Sequence, residues 1–280
     1  MSVAALAEGR LDVAARARLR ELTLLEPVPA IAFFDAFYAA PLAARLDLAG
    51  ARILDCACGS GWLAAALALR GARVVAADLG AVPLARTGAV VSALGLGHAV
   101  AVLPADVTRL PFRDRAFDAV CSIETLEHVP IAPAMQELAR VCGRFFVIET
   151  INRHFPIDTH DTPYPLVHWL PGPLRSRLHK RLRVDPPNRY PSVPEIERPL
   201  FAEGFALATP FKTFDDVDAW ERVFPFSHPY QGGRAISLLQ PKWRAKRRFY
   251  RTVFGMLGGN SRYFLDKIMG IYERRDAVVR

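Results

Sequence analysis

Between Ala51 and Glu149 one pattern repeats: an apolar run, a turn, a helix-forming segment, and another apolar run. The runs are Ile53–Leu54, Val74–Asp78, Ala99–Leu103, Phe117–Ile123 and Arg144–Glu149, and the helical segments between them are Trp62–Arg70, Val82–Leu94 and Ala132–Val141. Strands that are apolar throughout must be covered on both faces. The alternation therefore predicts a parallel sheet with helices on either side, whose ligands bind at the carboxyl ends of the strands.

The most informative stretch is Ile53-Leu54-Asp55-Cys56-Ala57-Cys58-Gly59-Ser60-Gly61-Trp62, which reads as strand, tight turn and helix start. Glycines let the backbone turn closely beside a ligand, and a helix N-terminus favours polar and anionic groups. Three acids follow three consecutive strands: Asp55, Asp78 and Asp106. Asp is common at strand ends and caps, so each alone means little. Together they suit a nucleoside. An acid at the second strand's end, after a glycine turn, can accept both ribose hydroxyls, and one after the third strand can accept from an adenine amine. Gly59-Ser60-Gly61-Trp62-Leu63-Ala64 also fits the dinucleotide pattern G-x-G-x-x-A, so these residues alone leave NAD open.

Further motifs narrow the choice. Ala105-Asp106-Val107, Leu110-Pro111-Phe112 leading to Phe117-Asp118, and Glu124-Thr125-Leu126-Glu127-His128-Val129 follow the glycine turn and Asp78 in fixed order. Over about residues 50–150 the chain resembles the class I S-adenosylmethionine-dependent methyltransferases, in particular their small-molecule, ubiquinone-biosynthesis-like (type 11) group. The resemblance implies S-adenosyl-L-methionine as cofactor and an enzyme that methylates a small or amphiphilic metabolite, at oxygen. It implies that Asp55, Ala57, Cys58, Gly59 and Gly61 shape the loop under the methionine and ribose. Asp78 would hold the ribose, with Leu79 against the adenine, while Asp106 and Val107 would hold the adenine edge. Ser122, Ile123 and Glu124 would line the methionine end, near His128. The family usually has glycine where Ala57 stands. Asp55, Asp106 and the Leu110–Asp118 signature favour the methyl donor over NAD. A module that binds the cofactor without catalysis is the alternative of a different class, and a peripheral-membrane lipid or quinone methyltransferase is the alternative within the class.

Methyl transfer from a sulfonium needs chiefly alignment and exclusion of water. A base helps when the acceptor is a hydroxyl. His128 is the candidate because an imidazole titrates near neutrality, although packing the loop is an equally good reading of it. His154, Asp158, His160, Asp161 and His168 form a second polar cluster, readable as a substrate site or a solvated loop.

Outside the repeat, residues 1–24 read as one helix, and an aromatic-dense helix runs from Ile31 to about Leu46, with Phe34, Phe37 and Tyr38 as core packing or as a cover over the cofactor. After Thr150 the rhythm breaks into a proline-rich stretch with a basic helix near Leu174–Leu182. A helix from Val193 to Ala202 and a sixth strand, Phe205–Phe211, follow; 213–265 reads as helical and basic, and Met269–Arg274 as a closing strand or a short helix. The expected architecture is thus α/β, a doubly wound, mostly parallel, seven-stranded Rossmann-like sheet with a helical insertion or cap. Its parts are an N-terminal helical cover (1–48), a cofactor-binding core (49–150), a substrate-side insertion (151–193) and the rest of the sheet with a basic helical C-terminal region (194–280).

Composition sets limits on partners. Cys56, Cys58, Cys121 and Cys142 sit in apolar runs as reduced core thiols, and no second Cys/His pair stands at zinc spacing, so no metal is expected. No window reaches membrane-span length, and Glu8, Arg10 and Asp12 break any signal-peptide core, so a cytoplasmic protein is expected. The net charge of +8 concentrates in Arg175–Arg183 and in the acid-free run Gln240–Tyr263. Aromatics interleave the second run, which reads as a solvated face or as an interfacial helix that meets an anionic membrane. Nucleic acid is not favoured, because the Pro-Pro motif of base-amine methyltransferases is missing after the fourth strand.

Overall fold

The computed structural model describes residues 2–155, 166–182, 189–209 and 267–275, with Thr252 and Met256 besides. The N-terminal segment is two helices, α1 (Val3–Arg10) and α2 (Val13–Thr23), where one was expected. Asp12 makes the break: its Oδ1 accepts the Ala15 N–H at 2.7 Å and so starts a second helix. α3 (Pro27–Phe34) runs into one π turn, Asp35–Ala39, before α4 (Ala40–Ala43), so the expected helix is interrupted. Pro41, which has no N–H to donate, lies just beyond the turn.

The repeat then unfolds as expected. β1 (Arg52–Cys56), α5 (Trp62–Leu69), β2 (Arg73–Asp78), α6 (Ala81–Ala93), β3 (Val100–Pro104), β4 (Phe117–Ile123), α7 (Ile131–Val141) and β5 (Cys142–Ile151) follow in order. Beyond them come α8 (Gly172–Leu182), α9 (Val193–Ala202), β6 (Phe205–Thr209) and β7 (Lys267–Arg274). The seven strands lie in the order β3-β2-β1-β4-β5-β7-β6, parallel except β7, which is antiparallel to both neighbours. The strand order reverses between β1 and β4, the position where open α/β sheets hold ligands.

Successive residues serve opposite faces. Ile53, Cys121, Phe145 and Val147 belong to the core under α1–α3 and α5, while Leu54, Val120, Phe146 and Ile148 belong to the core under α7 and α9. Of the two readings of the last segment, strand prevails. β7 fills the gap between β5 and β6 with Ile268, Ile271 and Tyr272 buried, and a side chain at Gly270 would meet Leu207 at 2.9 Å. Buried Arg274 donates to the carbonyl oxygens of Ala139, Cys142 and Glu203, and its guanidinium lies 4.3 Å from the Phe205 ring centre. Except for Thr252 and Met256, the expected helical region 213–265 lies outside the described residues, as do Pro210 and Phe211.

Candidate functional site at the carboxyl edge of the sheet

The turn after β1 is left-handed at three residues: Ala57 (φ 61°), Gly59 (φ 57°) and Gly61 (φ 78°). Cys58 N–H donates to the Ala77 carbonyl at 3.0 Å, which ties the turn to β2, and Gly61 N–H closes it onto the Cys58 carbonyl at 2.8 Å. A Cβ at Gly59 would meet nothing within 4 Å among the described residues, which leave open space beside it. A Cβ at Gly61 would meet the Thr87 methyl at 2.8 Å and its hydroxyl at 2.9 Å. Thr87, fully buried on α6, braces the turn by donating to the Gly59 carbonyl at 3.1 Å. Ala57 carries a side chain in a conformation that favours glycine. Ala57→Gly is therefore expected to raise stability by about 0.5–1 kcal/mol, the left-handed cost relieved less the added chain entropy, as a higher thermal midpoint.

Asp55 stands 3% exposed at the end of β1. One oxygen accepts the Ala64 N–H in the first turn of α5; Oδ2 is buried with no partner among the described residues. Burial pushes this carboxyl up to about 7, with the Ala64 N–H opposing and nearby Asp78 adding to the rise. Cys58, whose thiol lies 3.3 Å from the Thr87 hydroxyl, is driven by burial up to about 12. Its thiol is buried in the turn, and all four cysteines are buried and outside any disulfide.

Asp78 ends β2 and accepts the Gly59 N–H at 3.1 Å and the Gly80 N–H at 2.9 Å, so the second acid and the glycine turn form one unit. Leu79 beside it is 72% exposed, an apolar ledge that the core does not use. Asp106 is exposed and accepts from Thr108 N–H at 2.8 Å and Thr108 hydroxyl at 2.7 Å, which hold its carboxyl below the usual range. The Val107 side chain is buried in the core with Leu54 and Ala77.

β4 ends in Ser122, whose buried Oγ has no partner among the described residues, and half-buried Ile123. Glu124 is left-handed at φ 50°, and its N–H donates to the Glu149 carbonyl at 2.8 Å. Thr125 hydroxyl lies 3.4 Å from the Cys56 carbonyl, which brings this loop against the β1 turn. Glu127 is 2% exposed, accepts the Thr150 hydroxyl at 2.8 Å, and leaves Oε1 without a partner among the described residues; burial pushes its carboxyl up. His128 is exposed.

Two further groups, Glu149 and Lys267, stand outside every motif of the sequence and meet Tyr38 at this edge. Glu149, buried on β5, accepts the Tyr38 hydroxyl and pairs with Lys267 of β7, whose ammonium also reaches Glu124 at 2.6 Å. Burial works against the Lys267 charge, but Glu149 and Glu124 outweigh it and hold the ammonium above the usual lysine range. An acid among the apolar residues of Phe145–Ile151 was the one available signal for Glu149. Tyr38 thus reaches the sheet's carboxyl edge, whereas Phe34 and Phe37 pack against the core with Phe33. The second polar cluster is not assembled as a site among the described residues. His168 is buried with Nε2 3.1 Å from the Arg153 carbonyl, His154 is exposed, and Asp158, His160 and Asp161 lie outside the described residues.

Residues 54–144 match a family described as "Methyltransferase domain". Ubiquinone biosynthesis O-methyltransferase of Azotobacter vinelandii is 39% identical over 116 residues, covering 39% of this chain and 48% of that protein. The enzyme of the same name from Xanthomonas oryzae is 40% identical over 121 residues, covering 40% and 48%. The chain spans about half the length of the curated relatives it matches. Among solved structures, an S-adenosylmethionine-dependent methyltransferase from Mesorhizobium loti superposes with a TM-score of 0.52 at 19% identity, covering 85% of this chain and 98% of that one. Geranyl diphosphate C-methyltransferase from Streptomyces coelicolor does so with 0.53 at 17%, covering 85% and 77%, so the fold is shared. Over residues 54–144 the chain is therefore similar to methyltransferase domains, and it shares their strand order and glycine turn as part of the common fold.

Proposed function

We propose that this chain is an S-adenosyl-L-methionine-dependent methyltransferase that methylates a hydroxyl of a small or amphiphilic metabolite. The observation that carries this is the buried Asp55 Oδ2, without a partner among the described residues, beside a left-handed turn whose Gly59 faces open space among those residues. A buried acceptor without a donor is costly, and a cofactor bearing cationic and N–H groups relieves that cost. In this reading Asp55, Ala57, Cys58, Gly59 and Gly61 form the floor under the methionine and ribose, and Asp78 takes the ribose hydroxyls. Leu79 lies against the adenine, Asp106 and Val107 hold its edge, and Ile123 and Glu124 line the methionine end. The cofactor supplies an activated methyl group. The chain's own residues align the acceptor and exclude water, and His128 takes the hydroxyl proton, at a position where an exposed imidazole can then release it to solvent.

Residues 49–150 serve as the cofactor-binding core, 1–48 as a helical cover, 151–193 as the acceptor-side insertion, and 194–280 as the remainder with the basic C-terminal region. The names of the relatives, ubiquinone biosynthesis O-methyltransferase, support oxygen as the acceptor atom and a quinone-type precursor as the acceptor class. Turnover of methyl-labelled cofactor against hydroxylated aromatic acceptors, with and without an alkyl tail, is expected to give labelled ethers. Cofactor binding with no transfer to any of them would contradict the proposal and favour a binding module.

The acid-free Gln240–Tyr263 run supports contact with an anionic membrane surface. Among the described residues no single helix is long and apolar enough to cross a membrane, although the bent pair Val13–Thr23 and Pro27–Ala43 is so jointly. The protein is expected to co-sediment with anionic vesicles at low salt and to be released as salt screens the charges; equal sedimentation with neutral vesicles would contradict an electrostatic contact.

A further inference from the structure

We propose that Lys267 is a positioning residue for the methionine end of the cofactor, acting through Glu124. The inference rests on the cofactor reading above. A ribose at the end of β2 puts adenine toward β3, on one side of β1, and leaves the amino-acid part toward β4, on the other. Glu124 stands at that end of β4, on the loop that Thr125 fastens to Cys56, the last residue of β1. Its left-handed backbone is strained for a residue with a side chain and persists only where its surroundings fix it.

Contacts from two other strands help to fix it, one from β5 beside β4 and one from β7 beyond β5. The Glu124 N–H donates to the Glu149 carbonyl, and the Glu124 carboxylate is held at 2.6 Å by Lys267, which is itself anchored on buried Glu149. Tyr38, arriving from the π turn, donates to the other Glu149 oxygen and fixes that anchor in turn. A single π turn often marks a functional position in a helix. The network runs from Tyr38 and Glu149, whose side chains are buried, through Lys267 at 23% side-chain exposure to Glu124 at 42%, so the rigid end lies inside and the positioned end faces the open edge. Without Lys267 two carboxylates face one another, and repulsion drives Glu124 out of its strained geometry.

The test compares two ligands by calorimetry: S-adenosylhomocysteine, which carries the amino-acid part, and 5′-methylthioadenosine, which lacks it. Lys267→Met is expected to weaken the first about tenfold and leave the second within about twofold, because relaxing one strained residue is worth roughly a factor of ten. Lys267→Arg is expected to restore the first ligand. Lys267→Met combined with Glu149→Gln removes both charges together and avoids an unpaired buried carboxylate; with the repulsion gone but the Lys267 contact to Glu124 still missing, a selective loss of the first ligand, smaller than in Lys267→Met, is expected. Parallel weakening of both ligands, or no change in either, would overturn the role of Lys267 while leaving the cofactor reading intact. A wild-type protein that binds neither ligand overturns both.

Discussion

Gly61→Ala is expected to destabilise the protein by about 1.5–4 kcal/mol, as the sum of a left-handed alanine, less the chain entropy it saves, and an overpacked contact. The new methyl would stand 2.8 Å from the Thr87 methyl and 3.0 Å from its Cα, and the backbone atom cannot swing away. Thr87 can retreat only by giving up its hydrogen bond to the Gly59 carbonyl, which loosens the turn that the cofactor would need. Gly59→Ala is the matched control. Its φ is also left-handed, at 57°, but its Cβ meets nothing within 4 Å among the described residues, so only the backbone cost less the chain entropy saved, about 0.5–1 kcal/mol, is expected. Urea unfolding should therefore order the proteins wild type, Gly59→Ala, Gly61→Ala. Equal midpoints for the two variants would mean that Thr87 does not brace the turn. Ligand binding should reorder them, since the open space at Gly59 is where a cofactor would lie.

Asp55→Asn is expected to stabilise the ligand-free protein by up to about 4 kcal/mol at pH 8, from a folded value near 7 against 3.8 unfolded at 1.36 kcal/mol per unit. The sign follows from proton counts. Below 3.8 the carboxyl is protonated in both states and contributes nothing; between 3.8 and about 7 the folded state holds the extra proton, so stability falls as pH rises; above 7 the whole cost is present. Asparagine keeps an acceptor for the Ala64 N–H and removes the charge. The wild-type and variant stabilities should converge near pH 4 and diverge toward pH 8. A constant difference across that range would show that Asp55 does not carry the cost. The same substitution is expected to weaken cofactor binding, since a group that stores instability for a ligand loses that ligand's compensation when it is neutralised.

The sheet core and the glycine turn were legible because parallel strands buried on both faces leave near-continuous apolar runs, and left-handed backbone concentrates at glycine. Asp55, Asp78 and Asp106 were legible as acids ending three successive strands. The breaks near the N-terminus were not, since one Asp12 cap and one π turn are small local signals inside long helical patterns. β7 was ambiguous because Gly270 and Arg274 suit a strand only in tertiary context, the first for its close approach to Leu207 and the second for the three carbonyls it satisfies. Lys267 and Glu149 are 118 positions apart, so no window along the chain could join them. Thr87 looks like any helix residue until the turn folds over it.

The most direct test of the central claim, that the turn and its acids hold S-adenosyl-L-methionine, is calorimetric titration with S-adenosylhomocysteine of wild type, Asp78→Ala and Asp78→Asn. Wild type is expected to bind at one site per chain. Asp78→Ala should weaken binding by about tenfold to a hundredfold, the worth of hydrogen bonds to a charged acceptor, with Asp78→Asn between the two. Absence of binding by a folded wild-type protein, or binding that Asp78→Ala leaves unchanged, would contradict it.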